Sequence, residues 1–170
     1  CNNNSMLSLS NTDVPETLSW FKSKGYKVSF IVPTKNGLKK SIMDTTEDLR
    51  NFLSKGGLHD FSNQKQGTTN KKLIETLLIS ENSFHKTKTS LYRPETKKGD
   101  PRIWIYELGK YSRSGDLLAF LISKKRLIVI NCSNSKLTSL DDFLKKNLRV
   151  LSFNTSPASN ELLQKLKVIS

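Results

Sequence analysis

Cysteine is nearly absent from the chain, with two residues in 170, Cys1 and Cys132. Two cannot build a disulfide framework. His59 and His85 are the only histidines, and no Cys/His spacing points to zinc. Cys132 closes an apolar run, where a buried free thiol is expected, and a reducing cytoplasm fits that usage. Long hydrophobic stretches are missing as well, so neither a membrane span nor a signal peptide is read. Acidic side chains are scarce: 15 Asp and Glu stand against 28 Lys and Arg, a formal net charge of +13. Such an excess leaves the fold undetermined but favours a polyanionic partner, nucleic acid first and an anionic membrane surface second. A lysine-rich composition with no functional meaning is the plain alternative. Hydrophobic residues at 35% and charged residues at 25% are compatible with one packed domain.

What is present alternates between short β-type runs and polar, basic connections. The order Cys1-Asn2-Asn3-Asn4-Ser5 before Met6 reads as an artificial remnant ahead of the natural start, or as an acylated Cys1 with a polar spacer. Thr12 or Asp13 caps a first helix that Gly25 ends, with Leu18 and Phe21 facing inward. Residues 27–32 read as a strand stopped by Pro33, Lys35-Asn36-Gly37 as a turn, and residues 46–54 as a second helix closing at Gly56-Gly57. Strand candidates follow at 72–80, 84–92, 102–108, 117–122 and 126–132, the last two joined by a tight Ser123-Lys124-Lys125 turn. Residues 139–146 read as a short helix, 149–153 as a further strand and 160–168 as an amphipathic helix. This spacing favours a sheet or barrel over βαβ units. The expected organisation is one compact domain. Residues 6–56 form a helical lead with one strand, and residues 57–170 form the barrel and its C-terminal helices. The first barrel strand is either 27–32 or a short piece near 58–61.

Two connections carry chemistry. The first runs through Asn63, Gln64, Lys65, Gln66, Thr68, Thr69, Asn70, Lys71 and Lys72, with no acid among them. Asn and Gln offer the donor–acceptor pair that reads adenine in a major groove, while Thr and Lys hold phosphates. A solvated loop would also favour these residue types. The second, residues 85–102, sets six Lys or Arg against Glu95 and Asp100. Pro94, Gly99 and Pro101 shape a tip that projects Arg93, Lys97, Lys98 and Arg102. Arginine suits a bidentate contact with guanine, lysine a phosphate. An ordinary charged hairpin is the competing reading. For a nuclease site, Glu95-Thr96-Lys97 matches the acid-x-Lys half by letter alone, in a Pro-flanked tip with no apolar strand beneath it. Glu107 and Lys110 have the wrong spacing, and Asp141-Asp142 is explained as helix-start charge. Trp104, Tyr106 and Phe120 read as core; a stacking platform for single strands would need them exposed.

The order of a polar Asn/Gln/Gly/Thr loop, a strand, a Lys/Arg loop and a strand with Gly-Asp-Leu-Leu-Ala-Phe (115–120) resembles a known family. It is similar to the DNA-binding pseudobarrels of the plant B-three type, found also as EcoRII-type N-terminal effector domains of bacterial restriction endonucleases. The stretch 90–105, from Ser90-Leu91-Tyr92-Arg93-Pro94 to Ile103-Trp104-Ile105, carries most of the likeness, which covers residues 57–133. The resemblance implies a mixed α/β, mainly β fold: a seven-stranded open antiparallel pseudobarrel with flanking short helices. It also implies two arms, 63–72 and 93–102, gripping the major groove of double-stranded DNA. On this reading Lys65, Lys71, Lys72, Lys97 and Lys98 neutralise phosphates, and Asn63, Gln64, Gln66, Asn70, Arg93 and Arg102 face bases. The chain itself is then not an enzyme and needs no cofactor, metal, membrane or small-molecule substrate; a nuclease domain or subunit does the cutting. The alternatives are a lipid-anchored surface protein with acylated Cys1 and a small Mg-dependent nuclease.

Overall fold

A computed structural model describes residues 14–136, 139, 141, 142 and 144–146. Helix α1 (Val14–Ser23) is followed by β1 (Ser29–Ile31), α2 (Lys35–Lys40), β2 (Ile42–Asp44) and α3 (Glu47–Lys55). Then come β3 (Lys72–Ser80), β4 (Ser83–Tyr92), β5 (Arg102–Ile105), α4 (Leu108–Tyr111), β6 (Leu118–Ser123) and β7 (Arg126–Asn131). The seven strands form one curled, open sheet in the order β1-β6-β7-β3-β4-β5-β2. The fold is thus mixed α/β and mainly β, as the strand spacing implies. The sheet is not purely antiparallel, however, because β3 and β7 run parallel. The β3–β4 hairpin fills one side of β3, and the chain returns through β6 to lay β7 on the other.

Alternation along the strands builds two cores. One face, inside the curl, collects Ile74 and Leu78 of β3, Leu91, Ile103, Ile105, Leu118, Phe120, Leu127 and Val129, closed by Leu49 and Leu53 of α3. The other face buries Leu77, Ile79, Ala119, Leu121, Ile128 and Ile130 under Phe21 and Tyr26. Strands β6 and β7 are therefore buried on both faces, which is why they read as continuous apolar runs. Cys132 is buried and free, and desolvation pushes its thiol up to about 12.

Several expectations are corrected. The 6–56 lead supplies two strands, not one, and they are the two outer edges of the sheet. Its first strand is β1, while 58–61 ends in a 3-10 turn at Phe61–Asn63. In α1 it is Thr17 and Phe21 that are buried, with Leu18 only partly so. Lys35-Asn36-Gly37 opens α2 rather than a turn: the Thr34 hydroxyl accepts from the Gly37 N–H at 3.0 Å. A Cβ at Gly37 would crowd Met43 Cγ at 3.1 Å and Ile42 O at 3.2 Å, on the strand against which α2 packs. Phe120 is core, but Trp104 and Tyr106 belong to neither core cluster. The expected elements at 149–153 and 160–168, and Cys1 to Asp13, lie outside the described residues, none of which forms a helix long and apolar enough to cross a membrane.

Helix α3 holds the inner core shut from one side, so its start matters. The Thr46 hydroxyl accepts from Leu49 N–H at 3.1 Å, and Glu47 and Asp48 complement the helix dipole. Thr46→Ala is expected to cost about 1 kcal/mol in urea unfolding, with Thr46→Ser close to the parent.

Candidate nucleic-acid interface

Because β1 and β2 are the two sheet edges, the curl leaves an open seam between them. A cleft of about 800 Å³ lies along it. Ile31, Val32, Ile42 and Met43 give it an apolar floor, Thr34, Asn36, Lys39 and Lys40 line it from α2, and Tyr92 and Arg102 line it from the base of the β4–β5 connection. Asp44 is the one carboxylate in the lining among the described residues. It sits opposite Arg102 in the β2–β5 register and forms an ion pair with it, Nε to Oδ1, without an aligned hydrogen bond. The Arg102 side chain is 19% exposed and the Asp44 side chain 76%, so the arginine lies deeper. Burial raises the Tyr92 phenol above its ordinary value while the Arg102 charge pulls it down, leaving a protonated donor at neutral pH.

The two basic connections meet each other instead of standing apart as separate jaws. Gly67 N–H donates to Arg93 O at 2.7 Å, and Gln66 Nε2 donates to Pro94 O at 3.1 Å. Gly99 has φ +72, and a Cβ there would come within 2.7 Å of Gln66 Cδ. Arg93 ties both loops, donating from Nε to Gly99 O at 2.9 Å and from Nη1 to Gln64 O at 3.0 Å. Gln64 is similarly committed: its Nε2 donates to Asn70 O and Leu91 O, and its Oε1 faces His59 Nε2. Partial burial lowers the His59 pKa, against the opposing Gln64 contact, so the ring is neutral at pH 7.

Most of the side chains expected to face bases are therefore occupied with the loops themselves. Asn63 Nδ2 donates to Asp60 Oδ2 at 2.7 Å and Asn70 Nδ2 to Gln66 O at 3.0 Å. Gln64 and Arg93 are braces, and Arg102 is paired with Asp44. The phosphate-type lysines fare differently: Lys65, Lys71, Lys72 and Lys98 are exposed, and none is ion-paired among the described residues. Lys98 stands at the tip with φ 58. Thr69 is exposed; Thr68 and Lys97 are placed by backbone, in the 3-10 turns Thr68–Asn70 and Lys97–Gly99.

Sequence reasoning missed Lys39 and Lys40, whose signal was the clustering of Lys35, Lys39 and Lys40 just after Pro33-Thr34. Among the described residues neither 60–71 nor 93–101 lines the cleft; of the two connections only Arg102, where β5 begins, reaches it. No group of three or more His, Cys, Asp or Glu side chains able to hold a metal ion occurs among the described residues. No family model, curated protein or solved structure matches the chain.

Proposed function

We propose that this chain binds double-stranded DNA sequence-specifically, as the target-recognition part of a type II restriction endonuclease whose nuclease domain or subunit does the cutting. The observation that carries the proposal is the seam cleft, where Lys39, Lys40 and Arg102 converge with a single carboxylate over an apolar floor. In a chain of net charge +13, this is a site for a polyanion with a large apolar surface. Helix α2 has six residues and is capped at its start by Thr34, a compact element of the kind a major groove admits. The opposite wall is Tyr92 and Arg102, paired at the facing ends of β4 and β5. Their place on paired strands supports the reading, since a contact held in place loses less entropy on binding than one on a loose loop. Exposed Lys65, Lys71, Lys72 and Lys98 extend the positive surface beyond the cleft.

The test is a double substitution in α2. Lys39→Ala/Lys40→Ala should weaken binding of a labelled duplex about tenfold at low salt. The plot of log K against log salt should become shallower by about two units, one for each lost phosphate contact. Both residues are surface lysines in the last helical turn, so folding is expected to survive and is checked by far-UV circular dichroism. An unchanged affinity would remove the cleft from the proposal.

A further inference from the structure

The face of the sheet that α1 covers is only half covered. Over β6, β7 and the end of β3 it is roofed by Phe21 and Tyr26, but the outward residues of β4, β5, β2 and the start of β3 belong to neither core cluster. There the register aligns Leu73 with Ser90, Ser90 with Trp104 and Trp104 with Ile42, one residue from each of four neighbouring strands. Their inward-facing neighbours Ile74, Leu91, Ile103 and Met43 are all in the inner core, so this row points outward. Leu73 is 52% exposed, the most exposed large hydrophobic residue described. Trp104 and Tyr106 are half-buried and lie 4.7 Å apart, ring to ring, tilted by 54°. Ser90, opposite Trp104 in the register, is small and fully buried, and the indole beside it is partly exposed.

Charge selects the occupant. Lys71 Nζ lies 5.4 Å from the centre of the Trp104 ring, and Lys88 stands on the same face. Of the acids on this face, Glu75 pairs with Lys88 at 4.0 Å and Asp44, two residues beyond Ile42, pairs with Arg102. An aromatic pair rimmed by lysine is the surface that an unpaired base with its phosphate fits. The base stacks on the indole, and the ammonium now lying over the ring moves to the phosphate. We propose that the Trp104–Tyr106 face is a second nucleic-acid site, which stacks unpaired bases of a single-stranded segment. It rests on the nucleic-acid reading above but not on the cleft, which shares Ile42 with this face but not Trp104, Tyr106 or Lys71.

The chain has two tryptophans, and Trp20 packs on Phe21 at the α1 core, so Trp20→Phe leaves Trp104 as the lone reporter. The full chain carrying that change is titrated with a blunt duplex and with the same duplex bearing a short single-stranded extension. The extended duplex should bind at least about fivefold more tightly and quench the Trp104 emission, while the blunt one leaves the emission nearly unchanged. In the parent background, Trp104→Ala should abolish that gain without altering the affinity for blunt duplex, and Trp104→Phe should restore most of it. If the extension adds nothing, or adds the same to Trp104→Ala, the stacking site is refuted while duplex binding stands. If single strands bind through Trp104 and blunt duplex does not bind at all, stacking stands and the cleft reading falls. Self-association that Trp104→Ala abolishes would assign the face to a second copy and overturn the proposal.

Discussion

Raising the salt from about 50 to about 200 mM is expected to weaken duplex binding by about 500-fold. Five phosphate contacts, of the kind Lys39, Lys40, Lys65, Lys72 and Lys98 can make, release their counterions with a slope near −4.5 in log K against log salt. These side chains are exposed or line an open cleft, and none is ion-paired among the described residues, so their charges are available to phosphate rather than internally neutralised. Fluorescence anisotropy of a labelled duplex over a salt series measures the slope directly. A flat response would mean that the +13 is a compositional accident and would sink the DNA reading as a whole.

Replacing Arg93 by Ala should lower stability by about 2–3 kcal/mol, because two charge-assisted hydrogen bonds are lost and two carbonyls are left without their donor. Those carbonyls belong to different loops, Gly99 O and Gln64 O, so both connections should loosen together. Hydrogen exchange should then rise at the Gly67 and Gly99 amides, which donate to Arg93 O and Thr96 O. Arg93→Lys should rescue little, since a single ammonium cannot span both carbonyls with the geometry of the guanidinium fork. Duplex affinity should fall alike for a selected site and a scrambled one. Loss at the selected site alone, with stability unchanged, would show that Arg93 reads a base and is no brace.

The strands that could be read from sequence are those whose burial is two-sided or strictly alternating. Residues 72–80 coincide with β3, and the apolar runs at 117–122 and 126–132 coincide with β6 and β7 to within a residue at either end. Strand β2 was illegible. Three residues, Ile42 to Asp44, carry too little pattern, and their membership is decided by pairing with β5 far along the chain. The parallel β3–β7 contact is likewise non-local, and nothing in either segment announces direction. Basic loops were legible as charge, but the work of Gln64 and Arg93 was not. An amide or guanidinium that could face a base is here turned to main-chain carbonyls that only the fold brings near. Trp104 was misread for a related reason. RIWIYEL has the period of a strand, and period alone does not say which face is roofed.

The placement of β1 has a consequence for how the chain is born. It pairs with β6, Ser29 opposite Phe120, although β2 to β5 all lie between them in sequence. During synthesis Phe30 and Ile31 leave the ribosome long before any strand exists to receive them. Closing so large a loop costs entropy that pairing with β6 has to offset. Capture of β1 therefore has to wait until β6 has been made. A nascent chain halted before residue 118 would display that segment as a sticky, unpaired edge for holding chaperones.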